Sequence, residues 1–103
     1  MQYLDTLKEI EVLIDKYEFD KCLELIHSSI KTYGDKVELL NLEGKIYTRQ
    51  QHYADALNVF NRVLIVEPQN EIAAYSIKMI NDILKISRTF YFENPYTDDD
   101  LYD

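Results

Sequence analysis

Apolar residues recur along this chain at intervals of three and four, the period of a helix that buries one face. Leu4, Leu7, Ile10, Leu13 and Ile14 carry the pattern first, and Phe19, Cys22, Ile26 and Ile30 resume it after the turn expected around Tyr17. Two further helices are expected at about Val37 to Gln50 and about Tyr53 to Val66. A fifth is expected from about Glu71 to about Tyr91, with Ile72, Ala73, Ile77, Ile80, Ile83, Leu84 and Ile86 among its apolar residues. The breaks have chemical causes. Gly34 suits a helix C-terminal stop. Asp35, followed three residues later by Glu38, has the form of a capping box with Asp in the Ser/Thr place. Pro68 lacks an N–H and keeps Glu67 extended, which stops the fourth helix; Asn70 can then cap the fifth. With only two Gly and two Pro in 103 residues, β-turn chemistry is nearly absent. The fold class expected is all-α, with five helices.

Residues 37–70 also carry small and aromatic residues at fixed offsets. Counting Val37 as position one, Gly44 stands at eight, Tyr47 at eleven, Ala56 at twenty, Phe60 at twenty-four and Pro68 at thirty-two. Gly44 and Ala56 let two antiparallel helices approach closely, and Tyr47 and Phe60 fill the space beside them. This arrangement resembles the tetratricopeptide repeat family, whose 34-residue unit reads W-x2-L-G-x2-Y, then A-x3-F, then P. Leu40 takes the Trp place, and Tyr53 and Leu64 fall where the family usually has an aromatic and a Leu. Glu43 departs from the pattern at a Leu position, leaving Leu42 or Leu39 to take over the contact. Val63 replaces a small residue and is expected to hold the second helix slightly further out.

One period earlier, residues 3–36 give a degenerate copy, in which Leu13, Phe19, Cys22 and Ile26 match Tyr47, Tyr53, Ala56 and Phe60. Ile10 stands where Gly44 stands in the next copy, so a more distant or shifted first helix is expected. The resemblance implies a right-handed superhelical array of antiparallel helix pairs: repeat 3–36, repeat 37–70 and a cap helix over 71–91. Such units bury their faces only against neighbours, and the terminal ones act as caps. This gives a domain over 1–91 and an acidic, aromatic tail over 92–103.

Charge narrows the range of partners. The net charge of −8 and the pI of about 4.6 argue against nucleic acid, which needs a basic face. No apolar run approaches the roughly 20 residues of a membrane span, and the first residues lack the basic and apolar regions of a secretory signal. A soluble cytoplasmic protein is the expectation. No phosphate loop, H-E-x-x-H or nucleophile elbow is present, so neither catalysis nor a cofactor is expected. Cys22 reads as a small hydrophobe at a helix crossing. His27, expected on an outer face, and His52, in a turn, lack companion ligands at a useful spacing for a metal. Thr97-Asp98-Asp99-Asp100 lacks the Gly and distal Glu of a calcium loop.

The resemblance implies a concave groove lined by the first helix of each repeat. Carried over position by position, the groove residues are Glu38, Asn41, Lys45, Thr48 and Arg49 in the strong repeat. In the cap helix they are Ile72, Tyr75, Met79, Asp82 and Ile83, and in the first repeat Leu4, Leu7, Glu11, Ile14 and Asp15. Tyr75 and Met79 join the first five as the candidate peptide-binding set. Asn41, Lys45 and Arg49, four apart, form a donor strip on one face; the alternative is a solvated helix face. The function expected is a protein–protein interaction module that holds a peptide or partner segment, as a monomer or weak homodimer. The rival is a structural module that self-associates through the cap helix or the groove. The tail is either a free end or a segment that folds back over the groove or the cap helix.

Overall fold

A computed structural model describes the backbone of residues 2–93 and the side chains of residues 2–87. Residues 94–103, and with them the proposed docking of the tail, lie outside the described residues. The described chain is all-helical: α1 (Tyr3–Asp15), α2 (Phe19–Tyr33), α3 (Val37–Arg49), α4 (Tyr53–Val66) and α5 (Glu71–Glu93). The helix ends follow the breaks seen in the sequence. Gly34 closes α2 at φ +87°, a conformation open to a residue without a Cβ. Asn70 caps α5, its Oδ1 accepting the Ala73 N–H at 2.9 Å. The capping box at Asp35 does not form. Lys36 is the N-cap of α3 and makes no side-chain cap bond. The Asp35 carboxylate instead accepts from Arg62 at 3.1 Å, because α4 brings a guanidinium within its reach.

The two interhelix turns repeat each other. Tyr17 and Gln51, one period apart, both adopt positive φ, at 59° and 62°. The hydrogen bonds around them recur in the same register. Glu18 N–H donates to Leu13 O and His52 N–H to Tyr47 O, and Tyr17 N–H to Ile14 O as Gln51 N–H to Thr48 O. Both hairpins are therefore closed by the same backbone geometry, despite different side chains.

Each helix packs on its chain neighbours, and α1 with α3 and α3 with α5 touch in addition; α2 and α4 do not meet. So α1, α3 and α5 form one layer and α2 and α4 a second behind it. The 18 Å thickness is that of two helix layers. The core divides accordingly. Ile10, Ile14, Cys22 and Ile26 pack with Leu39 and Ile46 of α3. Leu40 of the same helix turns to Ala56, Val59, Phe60 and Val63, with Ala73 and Ile80 of α5. Helix α3 is thus the shared wall of both halves.

Gly44 meets Phe60 at the α3–α4 crossing; a Cβ there would stand 2.5 Å from the ring. Leu39 is fully buried and takes the apolar contact expected of it, but Glu43 is buried as well. Ala56 is fully buried in the same cluster. Ala56→Leu is expected to overpack the core and cost about 1–3 kcal/mol, read as a lower chemical-denaturation midpoint. An unchanged midpoint would show room that this packing does not have.

Candidate functional site

The layer of α1, α3 and α5 bounds a groove of about 640 Å³. Leu4, Leu7, Lys8 and Glu11 line it from α1, and Val37, Glu38, Asn41, Leu42 and Lys45 from α3. Glu67, Asn70 and Ile72 close it from the α4–α5 turn and the start of α5. Corresponding positions of successive units lie side by side here: Leu4, Glu38 and Ile72; Leu7 and Asn41; Lys8 and Leu42; Glu11 and Lys45. One helix face carries all of them in each unit, since they recur at three- and four-residue spacing.

The groove is mixed in chemistry. Leu4 and Ile72 are largely exposed and offer apolar surface at its two ends. Two lysines stand among three glutamates, Glu11, Glu38 and Glu67, so it is not a cationic strip. Glu38 is anchored, accepting the Tyr3 hydroxyl at 2.7 Å. Burial, and then the Glu38 carboxylate, hold the Tyr3 phenol far above its ordinary pKa. The Tyr3 ring packs edge-on against Tyr33, 5.0 Å between centroids, which fixes α1 against the end of α2. Asn70 links the remaining wall: its Nδ2 donates to Glu67 at 3.1 Å, and its Oδ1 accepts from Asn41 Nδ2 at 3.4 Å. The other amide atom of Asn41, Oδ1, is buried without a hydrogen-bond partner.

Of the residues expected from the sequence, Glu38, Asn41 and Lys45 come together with Leu4, Leu7, Glu11 and Ile72. Thr48 and Arg49 are not among the lining residues. The Thr48 hydroxyl donates to the Gly44 carbonyl at 2.8 Å, one turn back on its own helix, and Arg49 is exposed. Ile14 is a core residue, not a groove residue, because its side of α1 faces α2 and α3. Tyr75 and Met79 line a separate hollow of about 370 Å³ along α5, with Lys78, Asp82, Ile83 and Ile86. Lys8, Val37, Leu42, Glu67 and Asn70 were not expected. The period pairs Lys8 with Leu42 and could have flagged both; Glu67 and Asn70 enter only through the path of the α4–α5 turn.

Away from the groove, His27 Nε2 lies 2.9 Å from Glu43 Oε2 across the α2–α3 interface, while Glu43 Oε1 is buried without a partner. Tyr47 is held above its ordinary pKa, by desolvation first and then by the Glu43 carboxylate. Burial likewise pushes the Cys22 thiol up, which disfavours the reactive thiolate. Among the described residues no cluster of three or more His, Cys, Asp or Glu could hold a metal, and no helix is long and apolar enough to cross a membrane. No protein-family model, curated protein or solved structure matches this chain.

Proposed function

We propose that this chain is a helical-repeat binding module of the tetratricopeptide kind, which takes an extended peptide into the groove of α1, α3 and α5. One observation carries the reading: side chains one period apart, from three successive first helices, line a single groove. The recurrence of turn hydrogen bonds in the same register supports it. So does the layering, in which α1, α3 and α5 touch in sequence while α2 and α4 stay apart. An array closed on one side and open on the other curves toward the closed side, which makes the groove face concave and favours the superhelical arrangement. The function is binding rather than catalysis.

The walls define the ligand. Exposed Leu4 and Ile72 accept apolar side chains at the ends, and Lys45 and Glu11 offer both signs of charge between them. Asn41 Oδ1, buried without a hydrogen-bond partner among the described residues, is an acceptor that a peptide N–H can use. A turn about χ2, which is a soft torsion for Asn, presents it to a peptide N–H in exchange for the long 3.4 Å bond from Asn41 Nδ2 to Asn70.

The test begins with a peptide-display selection on the folded protein and ends with titration of a selected peptide. Asn41→Ala and Lys45→Glu are each expected to weaken binding by about 5-fold or more. Arg49→Glu, outside the groove, is expected to leave the affinity unchanged. Because Lys45 and Arg49 are exposed, neither reversal should move the melting temperature appreciably. Peptides that bind all three variants as tightly as the native chain would remove the groove from the reading.

A further inference from the structure

The groove uses only the first turn of α5. Beyond it, Tyr75, Met79, Ile83 and Ile86 continue a stripe that begins at Ile72. Tyr75 and Ile86 are 70% and 69% exposed, and Ile72 61%. At about 100° per residue the five side chains fall within an arc of about 80°. That arc lies roughly 120° around the helix from Ala73, Ile77 and Ile80, which pack against α4. It runs about 21 Å along the axis. Met79 and Ile83 are half-buried, Met79 against the edge of the core, while Ile72, Tyr75 and Ile86 stand open.

The stripe reads the same in both directions. Ile72 and Ile86 are each seven residues from Met79, and Tyr75 and Ile83 are each four away. An interface between identical surfaces requires this self-complementarity, because every contact must be made twice with the roles exchanged. We propose that α5 pairs antiparallel with α5 of a second copy, about a two-fold axis beside Met79. Ile72 then meets Ile86, Tyr75 meets Ile83 and Met79 meets Met79.

Charge selects this pairing over its alternatives. Glu71, Lys78 and Lys85 form a seven-residue repeat along one flank of the stripe. Antiparallel pairing sets Glu71 beside Lys85 of the other copy at both ends. A parallel pair turns this flank toward the opposite flank of the other copy, so Glu71 and Lys85 lose each other as partners. Lys78 meets its own counterpart at the centre, but each is already held at 3.0 Å by Asp82 of the same helix, which offsets its charge. The buried face of α5 lies more than a quarter turn from the stripe, so the bodies of the two copies lean away from the contact.

This pairing does not depend on the groove being a peptide site, since only Ile72 belongs to both surfaces. Sedimentation equilibrium of the full chain, from about 1 µM to about 1 mM, is the primary test, because a single helix pair is small beside stable interfaces. The weight-average mass is expected to rise from 12.3 kDa toward twice that value. Tyr75→Glu and Ile86→Glu, both at exposed sites, are expected to raise the dissociation constant at least about 10-fold, with helical circular dichroism unchanged. Glu71→Lys and Lys85→Glu should each weaken the dimer, and the double variant should regain it. Under mild oxidation Met79→Cys should cross-link to itself, and Ile72→Cys should cross-link to Ile86→Cys in a mixture but not to itself. A chain that stays monomeric throughout overturns the proposal. So does a dimer indifferent to Tyr75→Glu, and so does an Ile72→Cys variant that links to itself, the mark of a parallel pair.

Discussion

Replacing Phe60 with Ala is expected to destabilise the protein by about 3–5 kcal/mol. The ring is 2% exposed and sits in the cluster that joins α3, α4 and α5. Removing it strips contacts from all three helices at once. In a domain of this size the melting temperature should fall by about 10 °C or more. The same ring explains Gly44. Its three outermost atoms lie within 2.8 Å of where a Cβ would stand on that glycine. Gly44→Ala gains about 1 kcal/mol of helix propensity, but must displace a ring that is 2% exposed in the core. The net expectation is a loss of about 1–3 kcal/mol. Phe60→Leu, introduced with Gly44→Ala, should recover part of it, since the two sites touch and their effects are coupled. Strict additivity in urea denaturation would show that the close approach of α3 and α4 does not depend on this pair.

Replacing Glu43 with Leu is expected to stabilise the protein by about 1–4 kcal/mol. The carboxylate side chain is 6% exposed, with one oxygen on His27 and the other unpartnered. Removing a carboxylate from water is expensive, and one partially exposed imidazole returns little of that cost. Leu restores the apolar residue that the repeat pattern expects there, so the cost disappears while the volume is kept. His27→Ala is expected to act in the opposite direction, by about 1–3 kcal/mol, because it takes the imidazole from a buried carboxylate and leaves it the Tyr47 hydroxyl alone. In the Glu43→Leu background the same His27 change should be nearly neutral. A thermal-melt series over the four proteins decides it. Loss of stability in Glu43→Leu would mean that the pair stabilises the α2–α3 contact after all.

The sequence alone determined the number and type of the described helices and the breaks between them. Three- and four-residue periodicity is a property of the local chain, and Gly34, Pro68 and Asn70 act on their own backbone. The 34-residue spacing read from the sequence also put Leu4, Glu38 and Ile72 in correspondence, and the three line one groove. Tertiary structure decided what lies opposite each of them. Periodicity assigns a residue to a face; it says nothing of the distance between faces or the crossing angle. For that reason Asp35 finds Arg62 rather than its own helix end, and Glu43 is buried against His27 from another hairpin. For the same reason Thr48 turns back to Gly44, Arg49 stays out of the groove, and Asn70 and Glu67 enter it from a turn. Tyr75 and Met79, on the face that the repeat pattern pointed to, lie too far along α5 to join the groove and form a second surface of their own.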